Sequence, residues 1–194
     1  MTWREMGLPN LQMAVNISSS HFTDPDFTDM VEGTLAESGF PGSSLEIEVT
    51  ESVTQPTSEN LSIFDRLKKM GVKVAIDDFG TGYSSLVSLK HLPIDHLKID
   101  RVFIVDMLQD SKSSILLGTI VGAAHALGQT VIAEGVEEED QVKVLHAIGC
   151  DYIQGYYFSK PVPALQIPDL ANTNFLAEAE FSKTAAPIRQ VKAL

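Results

Sequence analysis

Apolar positions along this chain fall into two alternating patterns. Short β-branched and apolar runs recur at Leu11–Ile17, Leu45–Thr50, Val72–Asp77, His96–Ile99, Thr130–Ala133 and Asp151–Phe158, and each reads as a strand. Between them, helical patterns run over about Phe27–Ser38, from Ser58 to Gly71, near Ser84–Leu89, over Ser113–Leu127 and over Glu138–Ile148. Ser58 reads as the N-cap of a helix that carries Leu61, Phe64 and Leu67 on one face and stops at Gly71. Gly128 and Gly149 end two others, and Pro93 breaks the short one. Six strands alternating with five helical stretches predict parallel βα units, an α/β fold. After Lys160 the rhythm is lost. Pro161, Pro163, Pro168 and Pro187 interrupt residues 164–194, a tail in which one short helix is expected around Asn174–Ser182.

Composition narrows the function classes. A chain of 194 residues with 44% hydrophobic content makes one domain with a real core. A net charge of −12 argues against long nucleic acid held on a basic surface, but not against a small phosphorylated ligand held by metal ions. The single cysteine, Cys150, excludes an internal disulfide and fits a reducing compartment. No apolar h-region follows Met1, and the most apolar stretch, Ile115 to Leu127, is too short to span a bilayer. A soluble cytoplasmic domain without a membrane span is expected.

The chemistry collects where strands end. Strand by strand, these positions hold Asn16, Glu48 with Glu51 nearby, Asp77 and Asp78, Lys98 with Asp100, Glu134, and Gln154. In a (β/α) barrel all parallel strands aim their C-terminal ends at one face. Each residue also has an ordinary reading. Asn16 could cap the next helix, Lys98 could pair with Asp100, Gln154 could bond a backbone group, and the Asp pair could cap a helix. Six successive strands doing so share a simpler explanation, an oxygen-rich site with one cationic side chain beside it. Carboxylate and amide oxygens suit magnesium, manganese or calcium, whereas zinc would favour His or Cys. Cys150 reads as packed, and His125 and His146 lie in helical patterns. An Asp able to bridge two ions, with a second Asp beside it, suggests a two-metal clamp for in-line phosphoryl displacement, with Lys98 orienting water or neutralising developing charge.

These residues resemble the EAL domain, the bacterial cyclic di-GMP phosphodiesterase family. The matching segments are Ala14-Val15-Asn16-Ile17-Ser18, Leu45-Glu46-Ile47-Glu48-Val49-Thr50-Glu51-Ser52, Asp77–Leu86, Leu97-Lys98-Ile99-Asp100-Arg101, Ala133-Glu134-Gly135-Val136-Glu137 and Gln154-Gly155-Tyr156, in the family's order across roughly Leu11 to Pro163. The resemblance implies a TIM-like (β/α) barrel that opens cyclic di-GMP to linear pGpG with two magnesium or manganese ions. By position, Asn16 and Glu48 correspond to ligands of the first ion, Asp77 bridges to the second, and Asp78 and Glu134 stand on the second ion's side. Lys98 corresponds to the residue that positions or activates water. Glu51 corresponds to the glutamate bracing the Asp78–Ser85 loop, which the family ties to its dimer interface. Asp100, Glu137 and Gln154 correspond to supporting or ligand-proximal residues. The alternative function is a non-catalytic cyclic di-GMP binding or regulatory module. A homodimer, or sensor and cyclase domains in a longer parent, are the expected partners besides cyclic di-GMP itself.

No Glu-Ala-Leu triplet occurs in this chain. The family barrel has eight strands, and this sequence enters just ahead of the third, with Trp3 at the position of the preceding helix's Trp. About six of eight strands are therefore expected in residues 1–163, an incomplete barrel lacking two strands, one metal glutamate, and an Arg and a Gln that contact ligand. A fragment of a longer protein is the first expectation. A late start, a damaged gene, or completion by another copy are the others. An open barrel exposes strand edges, so the chain by itself is expected to self-associate and to hydrolyse little.

Overall fold

The structure, a computed structural model, describes residues 3, 6, 8, 11–55, 57–80, 89–173, 175, 189 and 190. The chain divides into two compact units, one of Leu11–Lys98 with Leu127–Gln129, the other of Met1–Asn10, Ile99–Ala126 and Thr130–Leu194.

In the first unit β1 (Met13–Ile17), β2 (Leu45–Thr50) and β3 (Lys73–Phe79) lie side by side, all parallel. Asp95 leads into β4 (His96–Ile99) beside β3: its N–H donates to the Val74 carbonyl at 2.9 Å, and its Oδ2 accepts from the Val74 N–H at 2.8 Å. Parallel neighbours need crossover connections. These run through α1 (Ser19–Phe22) and α2 (Phe27–Ser38) between β1 and β2, and through α3 (Ser58–Lys69) between β2 and β3. The helices meet in a buried aromatic cluster, with the Phe22 ring centroid 5.8 Å from Phe27 and 5.1 Å from Phe64, both pairs tilted. Each such pair contributes about 0.5–1.5 kcal/mol beyond its buried area.

Helix α3 departs from the sequence expectation in two ways. Its N-cap is Thr57 rather than Ser58, with the Thr57 hydroxyl accepting from the Asn60 N–H at 3.1 Å. The buried stripe is Asn60, Phe64 and Leu67, while Leu61 is only half-buried. Asn60 Nδ2 donates to the carbonyls of Val53 at 3.1 Å and Gln55 at 3.0 Å, so an amide that satisfies the loop after β2 displaces a leucine from the inner face. Thr57→Ala is expected to cost about 1 kcal/mol, read as a lower urea midpoint at unchanged m value. An unmoved midpoint would refute the cap.

In the second unit β5 (Thr130–Ala133), β6 (Tyr152–Ile153) and β7 (Arg189–Gln190) pair in that order, again parallel. Helices α4 (Arg101–Val105), α5 (Ser111–Ala126), α6 (Glu139–Ala147) and α7 (Ile167–Asn172) belong with them. Ile104, Leu117, Val121, Val131, Val136, Val142, Leu145 and Ile153 form the buried core. Helix α5 begins ahead of Ser113 because Asp110 takes the capping place, accepting from the Lys112 N–H at 3.1 Å and from the Ser113 hydroxyl at 2.9 Å. Helix α6 opens with a capping box in which Gln141 Oε1 accepts the Glu138 N–H at 3.0 Å.

The expected strand over Asp151–Phe158 shrinks to two residues, since the chain turns at Gly155, whose carbonyl accepts the Phe158 N–H at 3.1 Å. The six expected strands are all present, so the parallel α/β reading stands. The short helices α1 and α4 are too brief to show a period, and β7 is a two-residue pairing that the tail's pattern does not announce. The helix expected around 174–182 lies, apart from Phe175, outside the described residues, and so does the one near Ser84–Leu89 apart from the buried Leu89.

Candidate active site

Strand residues two apart share a face, so the register of β1–β3 stacks side chains into rows. Asn16 lies opposite Glu48, Glu48 opposite Ala75, and Thr50 opposite Asp77. This places Asn16 and Glu48 level in one row toward the strand ends of the first unit, with Asp77 one strand period further along the same face, and Lys98 of β4 reaches both carboxylates. Lys98 is only 3% exposed. Its Nζ lies 2.8 Å from Glu48 Oε2 and 2.9 Å from Asp77 Oδ1. The Asp77 contact is ionic in geometry, for Oδ1 is buried and accepts no aligned hydrogen bond among the described residues. One ammonium between two carboxylates leaves excess negative charge, a field that favours further cations. The exposed Asp78 follows with a left-handed backbone, φ 54°, which breaks the strand's alternation at that point. A non-glycine residue held there is a strained feature of the sort that gathers at functional sites.

Glu51 is buried in the short turn Glu51–Val53 after β2. Its Oε2 accepts the Gly80 N–H at 3.1 Å and so fixes the chain just past Asp77-Asp78-Phe79. Residues 81–88, which follow, lie outside the described residues.

A second polar row lies one strand period below the first. Gln12 Nε2 donates to Glu46 Oε2 at 2.9 Å, His96 Nε2 lies 3.2 Å from the same oxygen, and Lys73 Nζ donates to Gln12 Oε1 at 3.3 Å. Burial, then the Glu48 charge, pushes the Glu46 carboxyl up to about 7 against the opposing pull of Lys73 and Lys98. Apolar side chains usually fill such a layer in a (β/α) barrel. Sequence reasoning gave this row no role, although Glu46-x-Glu48 and His96-x-Lys98 display it at the period of a strand.

The second unit holds the remaining candidates. The Glu134 N–H donates to the Ile99 carbonyl at 3.1 Å, at the end of β5. The Gln154 N–H donates to the Ala133 carbonyl at 2.8 Å, and its own carbonyl accepts the Val136 N–H at 3.2 Å. The Asp100 side chain accepts the Val102 N–H at 2.8 Å and caps α4. Lys98 does not use it as the partner that sequence proximity offered. Glu137 Oε1 lies 2.9 Å from Arg101 Nη2, and the Glu137 N–H donates to Gln141 Oε1 at 2.8 Å. The helix cap that Asn16 could have supplied is Ser18, whose hydroxyl accepts the His21 N–H at 3.3 Å. Arg101, within a recognised motif but given no role from sequence, is the residue most plainly missed.

Soft ligands are absent from this set. Cys150 is buried, and burial pushes its thiol up to about 12, which leaves it neutral and inert. His125 Nε2 lies 2.7 Å from Asp151 Oδ2, and His146 is buried in α6. The donors in the first unit, the Asn16 amide and the Glu48, Asp77 and Asp78 carboxylates, are all oxygens, and the buried Asp77 Oδ1 is an acceptor that a hard divalent cation would satisfy. The residues fit such an ion. Among the described residues no helix is long and apolar enough to cross a membrane.

The EAL domain family model matches residues 1–161. The signaling protein YkoW of Bacillus subtilis is 41% identical over 165 residues, 84% of this chain and 20% of that protein. MucR of Pseudomonas aeruginosa, a bifunctional diguanylate cyclase/cyclic di-GMP phosphodiesterase, is 40% identical over 85% of this chain and 24% of its own length. The solved PaMucR phosphodiesterase in complex with c-di-GMP superposes with a TM-score of 0.80 at 39% identity, over 85% of this chain and 67% of that one. The manganese/cy-diGMP complex of Klebsiella pneumoniae BlrP1 superposes with a TM-score of 0.73 at 31% identity, over 81% of this chain and 41% of that one. The chain thus spans about a fifth to a quarter of the curated relatives' length. Its fold is that of these domains, a TIM-like α/β barrel of which it carries part, and the chain belongs to the EAL domain family.

Proposed function

We propose that this chain carries the cation- and water-handling residues of a cyclic di-GMP phosphodiesterase, which opens the cyclic dinucleotide to linear pGpG. The observation that supports this most is the buried Lys98, held between the carboxylates of Glu48 at 2.8 Å and Asp77 at 2.9 Å. The related MucR and BlrP1 structures hold c-di-GMP, and the BlrP1 complex also holds manganese.

In this reading Asn16, Glu48 and Asp77 would hold one divalent ion, Asp77 and Asp78 would serve a second, and Glu134 is the second unit's own candidate ligand for a divalent ion. Two such ions, magnesium or manganese, supply charge neutralisation at the scissile phosphate and acidify the attacking water when bound. Water attacks phosphorus, the bond to the 3′ oxygen breaks, and the leaving alkoxide is protonated as the 5′ phosphate stays on the linear product. Lys98 orients that water and offsets charge that grows on the phosphate oxygens. Glu51 keeps the turn after β3 in place, and Asp100, Glu137 and Gln154 shape the chain around Glu134. Residues 1–163 form the EAL portion and 164–194 a tail. The protein acts in the cytoplasm, as a homodimer or joined to sensor or cyclase domains.

The test is pGpG formation by the 194-residue chain and by a form joined to a segment bearing two further strands and the Glu-Ala-Leu glutamate. The extended form is expected to turn over in magnesium or manganese and to lose activity in calcium, a larger ion with looser geometry. Tight nucleotide binding without turnover in any of these ions would instead establish a non-catalytic binding module.

A further inference from the structure

Every residue of the Glu134-Gly135-Val136-Glu137 segment is gripped, and the grips come from two sides. Gln154 and Tyr157 take Val136, its N–H donating to the Gln154 carbonyl at 3.2 Å and its carbonyl accepting the Tyr157 N–H at 3.0 Å. Gly155 lies so close to the Val136 backbone that a Cβ there would collide with it. The other three residues are held by the chain that leaves β4. The Ile99 carbonyl accepts the Glu134 N–H at 3.1 Å. Asp100 then caps α4, which fixes the first helical residue, Arg101. The Arg101 stem lies over Gly135: a Cβ on that glycine would fall 2.5 Å from Arg101 Cγ and 2.7 Å from its Cβ. Gly135 has φ 70°, where a side chain would be strained regardless of space. Finally the Arg101 guanidinium reaches Glu137 at 2.9 Å.

We propose that Arg101 is a positioning residue that sets Glu134, its stem packed on Gly135 and its guanidinium tethering Glu137 so that the Glu134 carboxylate is presented in one orientation to a divalent ion. The proposal rests on the cation reading of Glu134 given above. The ion pair by itself carries little, since both side chains are about half exposed and such pairs contribute ~0–1 kcal/mol. What makes Arg101 effective is geometry. The stem closes the space above a glycine that must stay bare, and a left-handed glycine left uncovered has the widest backbone freedom of any residue. Outer partners of metal ligands typically change metal affinity by about 10–100-fold when removed.

The experiment compares the unmodified chain with Arg101→Ala, Arg101→Met and Glu137→Gln. Two readouts are independent of turnover: amide hydrogen exchange at residues 134–137 in metal-free buffer, and manganese affinity from the electron paramagnetic signal of free Mn²⁺. Arg101→Ala is expected to speed exchange at Gly135 and Glu137 and to weaken manganese binding about tenfold, with a melting temperature close to that of the unmodified chain. Arg101→Met, which keeps the stem, is expected to recover most of both effects, and Glu137→Gln to show the smaller part. Unchanged exchange in Arg101→Ala would overturn the latch. Faster exchange with unchanged manganese affinity would overturn its role toward Glu134. If the unmodified chain itself binds no manganese, the cation reading of the site fails, and Arg101's role toward the ion fails with it. The exchange data still report the latch separately, so the two failures are told apart.

Discussion

Asp77→Asn is expected to remove nearly all hydrolysis of cyclic di-GMP by the extended form, a loss of at least about a thousandfold, or roughly 4 kcal/mol of barrier. The substitution keeps shape and one oxygen but deletes the negative charge that two ions would share. It also takes away one of the two carboxylates that hold Lys98, whose Nζ is 2.9 Å from Asp77 Oδ1. The fold should survive, because Asn keeps the shape of Asp77 and Lys98 keeps its 2.8 Å contact with Glu48, although the buried ammonium loses its second carboxylate. A cooperative melting curve at a somewhat lower temperature than that of the unmodified protein, with turnover gone at any magnesium concentration, is the expected pair of results. Retention of most turnover would overturn the cation reading of the first unit.

Lys98→Ala separates chemistry from binding. Turnover is expected to fall strongly while nucleotide affinity stays within about tenfold, about 1.4 kcal/mol. Lys98 is buried, however, and its removal leaves Glu48 and Asp77 facing each other without their cation. Breaking a buried pair in this way costs about 3–5 kcal/mol. Lys98→Met, which keeps the stem's volume, limits the loss of packing, and melting in chelator against melting in millimolar magnesium distinguishes the two effects. Magnesium should restore much of the stability, because a divalent ion takes over the neutralising role, yet it should not restore the rate. Parallel collapse of binding and rate in a well-folded variant would make Lys98 a ligand anchor and remove its part in orienting water.

Much of the fold was legible because its signals are local. The runs at Leu45–Thr50, His96–Ile99 and Thr130–Ala133 match β2, β4 and β5 to the residue: β5 is continuously apolar after Thr130, and β2 and β4 alternate apolar with polar residues at the period of a strand. Helix ends were less legible. At α3 two polar residues, Thr57 and Ser58, compete for the cap, and the winner depends on what else the turn must satisfy. Thr57 wins over Ser58 because Asn60 is drawn inward to the Val53 and Gln55 carbonyls, a demand set by a loop several residues away. The strand expected over Asp151–Phe158 ended early for a similar reason, for Gly155 must fit against the backbone of Val136, which no local pattern encodes.

The sequence by itself determined which side chains stand at the strand ends, that their donors are oxygens, and which family the motifs belong to. All three follow from residue identity and order. The tertiary structure decided who pairs with whom. It gave Lys98 to Glu48 and Asp77, left Asp100 to cap α4, set Glu51 against Gly80, and laid Arg101 over Gly135. It also stacked Gln12, Glu46, Lys73 and His96 into a second polar row. A strand's period fixes the face on which a residue lies, but its partner depends on the register of separate strands and on the reach of a side chain across them, and those are properties of the folded chain alone.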